Sequence, residues 1–504
     1  MSKWMKLSGS TAIVSLMMGS AAFADVSAQE VWGDWKAYMS GFGYDVSASE
    51  AMSGNTLTVS DLTMNVAIPE EDVTVSINMG QLNFTDQGDG TVAVSLPASQ
   101  PMVVTVDDEV KITMDYTNDN LSMVVSGAVN DMTYTYSANA VGLMLKEIVA
   151  EGEVIPIGSA NLSINDISGS SSMKVSNLRN IAQKMSAASI TYKMNFANPD
   201  NAAEKLDLVG GLNQLMFDGT LSVPMGEFDV NNMANMLKAG FAVDGKYSYT
   251  GGKMDFAFIE RGETIKASTS SDSGSFDIGM SQDMIKYVIN VAGQKVNMMG
   301  GDIPFPIEAA LGELGFKLIL PVSKSDDMKD FGVGLTLADF TTSDLIWSLV
   351  DPQGNLPRDP ATVAVDLSGR GKLGFDLMDP EQLEAVERGE LGIPGEVESL
   401  NLNMLQVSAA GASLVGKGGV VVDFMSALMS GGTQGMDGAV DLRLSGANTL
   451  AGKLVEMGLV SEGDIGMMPM MLGMFAQQTG DDVYSTKIEV KKDGSILANG
   501  QRLQ

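Results

Sequence analysis

Through most of the chain, apolar and polar positions alternate with a period of two. Leu62, Met64 and Val66 belong to one such run, and similar runs recur with short polar stretches between them. A strand with this pattern has one face on a core and one in water. Successive strands joined by short turns predict an antiparallel meander rather than parallel βαβ units. The sequence therefore predicts a mainly β fold (β-rich α+β) with a large, curved antiparallel meander sheet.

Two local departures from this alternation carry structural information. Between Val59 and Leu62 the register slips by one residue, which predicts a β-bulge. Residues 86–90 and 118–120 have the Asp, Asn and Gly composition of turns. Calcium binding at these clusters is disfavoured, because they lack a twelve-residue loop closed by Glu.

Helical periodicity is confined to a few short segments. Ser27 and Glu30 form a capping-box pattern, after which Val31 and Trp35 share one helical face. Trp32 and Trp35 are predicted to be core residues. Asp379 before Pro380 is typical of a helix start. The predicted helices cover residues 27–40, 177–186, 231–239, 341–350, a segment after 379, and a C-terminal pair within 450–475 that precedes a terminal hairpin over 484–498.

The loop at residues 198–201 is the best candidate for an internal boundary. It would separate an N-terminal β-rich half, residues 25–200, which opens with a helix, from a C-terminal β-rich half, residues 201–504, with a helical cover. The alternative, that both halves form one continuous domain, stays open. No fixed-period repeat indicates a propeller or solenoid.

The first 24 residues are typical of a secretory signal peptide. Lys3 and Lys6 precede a mostly apolar segment, and Ala22-Phe23-Ala24 matches an A-x-A cleavage pattern. The sequence predicts cleavage after Ala24 and export to the periplasm; retention of the segment as an anchor is the alternative. No later run reaches the ~18 apolar residues of a membrane helix, so no transmembrane segment is expected after signal cleavage.

Composition removes several function classes. The chain has neither Cys nor His, which excludes disulfides, Ser-His-Asp sites and imidazole zinc sites. No phosphate-binding glycine loop is present, so no cofactor is predicted. Without Lys3 and Lys6, 29 basic residues face 63 acidic ones, which argues against nucleic acid and anionic lipid head groups. A non-enzymatic protein is expected; a hydrolase with two carboxylates ~5–10 Å apart is the enzymatic alternative.

Residues 347–360, WSLVDPQGNLPRDP, concentrate prolines between a predicted helix and a predicted strand. Pro352 should end the helix at Val350 or Asp351, and the later prolines favour an extended segment. Trp347 and Leu356 are then available to pack beneath a rigid corner.

The corner also contains one of only seven arginines in the chain. Arg358 could clamp Asp351 or Asp359 through its planar guanidinium group, or bind an anionic ligand. A structural corner is favoured over a binding site. As a binding site, it would consist of Trp347, Asp351, Arg358 and Asp359.

One set of segments includes the corner and extends to the C-terminus: residues 303–311, 320–327, 351–352, 356–360, 438–446 and 497–503, together with Trp347. These segments resemble a family of bacterial envelope proteins, domain of unknown function number twenty-one twenty-five. The resemblance covers most of the mature chain, and its most specific part is the L-P-R-D-P sequence at 356–360. It implies an exported, mostly β protein and carries no activity or site.

Methionine suggests a ligand class. The mature chain contains 33 methionines, six of them between Met457 and Met474, and this flexible side chain suits variable apolar partners. One hypothesis is a periplasmic carrier or sensor that binds a lipid-like ligand in a β-groove. The alternative is a structural or assembly protein of the envelope that acts through protein contacts; its partner is unknown. The predicted hydrophobic cover of the groove is Met457, Met468, Met471 and Phe475.

Overall fold

The computed structural model describes residues 25–68, 73–107, 109–155, 157–198, 201, 203–226, 233–301, 303–390, 395–430, 434–466 and 468–503. The predicted signal peptide lies outside the described residues. The fold is mainly β, with a large antiparallel sheet and a few short helices, which confirms the predicted fold class. By its internal contacts the chain divides into two units: unit 1, Met1–Asn231 with Ala239–Lys266, and unit 2, Asn232–Lys238 with Ala267–Gln504.

Unit 1 begins with one helix and continues as strands. The helix is α1 (Ala28–Gly41). The strands are β1 (Asp45–Ser53), β2 (Thr56–Ile68), β3 (Val73–Asn78), β4 (Leu82–Asp86), β5 (Val92–Ser95), β6 (Ser99–Val106), β7 (Val110–Asp119), β8 (Ser122–Ala128), β9 (Asp131–Ala150), β10 (Glu153–Ile155), β11 (Ile157–Val175), β12 (Leu178–Ala197), β13 (Lys205–Pro224) and β14 (Ala242–Glu260).

Unit 2 alternates strands with short helices, and its first strand, β15, begins in unit 1. Its helices are α2 (Met233–Lys238), α3 (Asp344–Val350), α4 (Pro380–Glu387), α5 (Phe424–Ser430), α6 (Ala447–Glu456), α7 (Glu462–Gly466) and α8 (Met468–Phe475). Its strands are β15 (Glu263–Met280), β16 (Met284–Gly300), β17 (Ile303–Pro321), β18 (Lys329–Thr342), β19 (Ala361–Leu373), β20 (Gly395–Ala409), β21 (Ala412–Val422), β22 (Met436–Ser445), β23 (Gln477–Gly480), β24 (Val483–Val490), β25 (Ile496–Ala498) and β26 (Gln501–Arg502).

The core of unit 1 forms around α1. The predicted capping box is confirmed: the Ser27 side chain accepts a hydrogen bond from the N–H of Glu30, whose carboxylate accepts from the N–H of Ser27. Trp32 and Trp35 are 2% and 6% exposed, as predicted, and Trp35 meets Phe84 edge-on with ring centroids 5.1 Å apart. The helix therefore docks through two aromatic anchors on the strands around β4.

A buried ion pair ties α1 to β12. Arg179 donates two hydrogen bonds to the carboxylate of Asp34, at 2.8 and 2.7 Å, and both side chains are at most 10% exposed. The guanidinium group also lies 5.0 Å from the ring centroid of Tyr38. Burial raises the pKa of the Tyr38 hydroxyl well above its ordinary value, so this ring stays neutral beside the pair.

The helix predicted over residues 177–186 is wrong, because these residues begin β12. Arg179, Ile181 and Gln183 are buried while the residues between them are exposed, which is the period of a strand. The segment pairs with β11 on one side and β13 on the other. A ten-residue helix is marginal alone, and two continuous ladders outweigh its weak propensity.

The predicted bulge in β2 is confirmed, and related irregularities recur in later strands. Asp61 has a φ of 53°, and the register with β1 shifts opposite it. Asp166 in β11 and Gln214 in β13 have φ values of 48° and 47°. Apolar residues on either side of Asp166 and of Gln214 are three apart instead of two, yet they pack in one cluster, because the residue with positive φ turns the chain over. These pairs are Ile164 with Ile167 and Leu212 with Leu215.

Most of the remaining predicted elements of unit 2 are present. Asp379 caps α4, accepting from the N–H groups of Glu381 and Gln382, and β24 and β25 form the terminal hairpin. The C-terminal helices appear as α6, α7 and α8, with Pro469 in the first turn of α8, where proline is tolerated. The loop at 198–201 lies between β12 and β13 of unit 1, and the domain boundary there stays a prediction.

Candidate functional site

One face of the unit 2 sheet is apolar across nine neighbouring strands. Strands β16 to β22, β24 and β25 pair in succession, and residues directly opposite each other share a face. The pairings define three rows that cross the strands, which together we call the apolar face. The first row is Tyr287, Leu318, Val333, Leu367, Leu402, Gly418, Val440, Ile488 and Ala498; the second is Ile289, Phe316, Leu335, Val365, Leu405, Gly416, Leu442 and Thr486; the third is Val291, Leu314, Leu337, Val363, Val407, Leu414, Leu444 and Tyr484.

The opposite face of the same strands is polar. Lys317 donates to the carboxylate of Asp366 at 2.6 Å, and Asn403 donates to the same carboxylate at 3.1 Å. Burial acts to raise the pKa of Asp366, but the hydrogen bonds from Lys317 and Asn403 outweigh it and hold the pKa below its ordinary value. The sheet is therefore amphipathic, with its charges on one side.

The apolar face is open to its surroundings. Leu335, Val333 and Val363, near its centre, are 45%, 44% and 43% exposed. Helices α3, α4 and α5 contain no buried residue, and α6 buries only Ala451. Both buried clusters of apolar side chains found among the described residues belong to unit 1. Unit 2 thus exposes apolar side chains on this face, whereas unit 1 buries many of its own.

The chemistry of the apolar face is uniform. Its three rows contain no charged residue, and the strand ladders already pair the backbone N–H and C=O groups beneath them. The face can therefore offer dispersion contacts and desolvation of apolar surface but few directional bonds. Nine strands spaced ~4.8 Å apart make a row of about 38 Å. A bilayer core of ~30 Å holds two acyl chains end to end, so one row has the length of more than one chain.

The predicted cover lies toward one end of this face. The carbonyl of Phe475 accepts from the Thr486 hydroxyl at 2.6 Å and from Asn499 at 3.2 Å, which fastens the end of α8 near β24. Phe475 itself is 40% exposed, and Met457, the C-cap residue that follows α6, is partly exposed. The side chains of Met468 and Met471 lie outside the described residues. The described part of the cover leaves the central strands open.

The proline-rich corner is built around a buried carboxylate. Asp351 is 1% exposed and accepts hydrogen bonds from the N–H groups of Asn355 and Leu356, at 2.9 and 2.7 Å. These backbone bonds, first of all that from Leu356, hold the pKa of Asp351 below its ordinary value. Helix α3 ends at Val350, as Pro352 predicts, and Leu356 is buried. The carboxylate thus organises the turn.

The predicted partner of Arg358 is wrong. Arg358 pairs with Asp344, the first residue of α3, and not with Asp351 or Asp359. The side chain of Asp344 is 89% exposed, and Asp359 is exposed as well. Asp351 is held more firmly than these two exposed carboxylates. The turn that follows it supplies backbone N–H donors, and bonding to them does not require a second side chain to be ordered. Trp347 is half-buried, and a binding site made of Trp347, Asp351, Arg358 and Asp359 stays a prediction.

The corner supports a matched pair of substitutions. Arg358→Ala should change the free energy of unfolding by no more than about 1 kcal/mol, because its ion pair is at the surface. Asp351→Asn should lower the melting temperature clearly, since an amide accepts these backbone bonds more weakly. Because the pKa of Asp351 is lower in the folded state than its unfolded value of 3.8, this carboxylate stabilises the fold at pH values above 3.8. That stabilisation is lost as the pH falls through the folded pKa. Melting temperatures measured from pH 7 to pH 2 would contradict this if both variants differed from wild type by the same amount at every pH.

No family model, curated protein or solved structure matches this chain. The resemblance to the envelope family therefore stays a prediction. Within the described ranges, no helix has the length and apolar character needed to cross a membrane. The same ranges contain no group of three or more acidic side chains placed to hold a metal ion.

Proposed function

We propose that this protein is an exported, periplasmic, non-enzymatic protein that binds or carries a lipid-like hydrophobic ligand on the apolar face of unit 2. The observation that carries the proposal is the continuity of three uncharged rows across nine strands, together with the exposure of their apolar side chains on β17 to β20. Exposed apolar area costs roughly 25 cal/mol per Å². Contiguous apolar surface of this extent usually marks a binding site. A bound apolar molecule would remove that cost.

Lipid chains suit this face better than a protein partner does. Protein interfaces combine an apolar centre with a polar rim and about one hydrogen bond per 100–200 Å². The rows, by contrast, end in only a few hydroxyl groups, those of Tyr287, Thr486 and Tyr484. The formal charge of −32 disfavours anionic head groups. A neutral or zwitterionic lipid-like molecule is therefore the favoured ligand class.

The direct test is lipid content and uptake. Protein purified without detergent should yield lipid on solvent extraction, detected by mass spectrometry. After delipidation it should take up a fluorescent fatty-acid probe, and added phosphatidylcholine should displace that probe. A chain that keeps its β-type circular dichroism but carries no lipid and binds no probe would contradict the proposal. A structural or assembly role in the envelope would then be preferred.

A further inference from the structure

Helix α5 presents its apolar side chains outward. Met425, Leu428 and Met429 are 56%, 50% and 84% exposed, and their spacing of three and four residues places them on one helical face. Phe424 and Ala427, on the other side, are partly buried. A surface helix ordinarily turns polar side chains to water and apolar ones to the core. Helix α5 instead has apolar side chains on its outer side as well as its inner side, and it contains no charged residue.

The base of α5 is firmly held. Asp423, just before the helix, accepts from the N–H and the hydroxyl of Ser426, and its own N–H donates to the carbonyl of Gly435 at 2.7 Å. Gly435 in turn donates to the carbonyl of Lys492 at 2.9 Å. These bonds close the segment at its base against β22 and the end of β24. The exposed side chains are thus displayed by an anchored turn of helix.

Helix α5 also lies beside the apolar face. It contacts β20, where Val397 and Leu400 are 38% and 44% exposed. Leu400 is two residues before Leu402 of the first row, so it projects from the same side of the sheet. Exposed apolar side chains therefore lie both on α5 and on the strand that it contacts, which is one of the strands of the apolar face.

We propose that α5 docks on a neutral lipid bilayer, with Met425, Leu428 and Met429 entering the head-group region. Amphipathic helices bind bilayers through such an apolar face, and cationic residues add affinity only for anionic lipids. Helix α5 has no cation, and the surrounding chain is strongly acidic, so a zwitterionic surface fits and an anionic one is repelled. If the proposed ligand binding also holds, the contact would let lipid pass between bilayer and protein, but the docking itself does not depend on it.

The test is flotation of the mature full-length chain with phosphatidylcholine vesicles. Wild type should float with them, and the triple variant Met425→Asp/Leu428→Asp/Met429→Asp should lose at least about tenfold in vesicle binding, because three apolar groups no longer leave water. Met216→Asp is the matched control, since Met216 is 60% exposed on β13 of unit 1. All four side chains are exposed, so circular dichroism should be unchanged.

Three results would overturn the docking proposal. They are absence of wild-type flotation with phosphatidylcholine, equal flotation of the triple variant, and flotation with phosphatidylglycerol vesicles alone. Fatty-acid probe uptake measured on the same samples separates this proposal from the proposed function. Probe uptake without flotation would contradict only the docking role of α5. Flotation that is lost in the triple variant, in a protein that takes up no probe, would contradict only ligand binding by the apolar face.

Discussion

Replacing Asp34 by Ala is expected to lower the free energy of unfolding of unit 1 by about 3–5 kcal/mol, because it leaves a buried guanidinium group without its counter-charge. Arg179 is 7% exposed and is held by two hydrogen bonds from its terminal nitrogens to Asp34. After the change, the charge of Arg179 would face the ring of Tyr38 and the sulfur of Met173, 2.7 Å from Nη1, and neither can replace a carboxylate. Urea unfolding followed by tryptophan fluorescence measures the loss, since α1 carries Trp32 and Trp35.

Two further variants separate the stranded charge from loss of packing. Asp34→Leu/Arg179→Met removes both charges and should be less destabilised than Asp34→Ala, because no unpaired buried ion remains. Lys184→Ala breaks the ion pair with Asp218, whose side chains are 73% and 64% exposed, and should cost no more than about 1 kcal/mol. If Lys184→Ala lowers the free energy of unfolding as much as Asp34→Ala does, burial does not explain the contribution of the Asp34 pair to stability.

Local sequence could not have revealed this pair. Asp34 and Arg179 are 145 residues apart, and each alone has the pattern of a surface residue. Arg179 also lies in the segment predicted to be a helix, whereas the alternation of a strand is what buries it. A signal was present: Ile181 and Met185 fit a strand as well as a helix, and the hairpin turn at Ser176 precedes them. For short apolar runs, the two periods are difficult to tell apart.

Features set by neighbouring residues were predictable. The capping box at Ser27, the N-cap at Asp379 and the helix end before Pro352 each depend on chemistry within a few positions. The partner of Arg358 was not, because the predicted partners were its neighbours in sequence, and folding brings Asp344 to it from 14 residues away. Local patterns specify the ends of elements, whereas ion-pair partners depend on how the elements pack.

The candidate site was predictable only in part. Alternation indicated that each strand of unit 2 has one apolar side, as in Val333, Leu335 and Leu337. It could not show that the strands pair so that these sides form continuous rows, because register depends on bulges such as that between Leu402 and Leu405. Nor could it show that the central rows are open. Whether a second layer covers a sheet is decided by tertiary packing.

Leu335→Asp is expected to weaken uptake of the fatty-acid probe by about 10–100-fold. Leu335 lies in the middle row, opposite Phe316 on one side and Val365 on the other. Burying a leucine side chain against a ligand is worth about 1.5–3 kcal/mol, and a carboxylate there would also have to be desolvated. Titration of delipidated protein with the probe, followed by fluorescence, measures the change. Since Leu335 is 45% exposed, the melting temperature should be nearly unchanged.

The matched control is Thr336→Asp, one residue further along β18. Successive residues of a strand point to opposite faces, so this change places the same charge on the polar side, in the same strand and at the same depth in the sheet. Thr336→Asp should therefore keep the probe affinity of wild type. Equal weakening by both variants would mean that added charge, and not contact with the apolar face, controls uptake. Wild-type affinity in Leu335→Asp would place the ligand somewhere other than the centre of the apolar face.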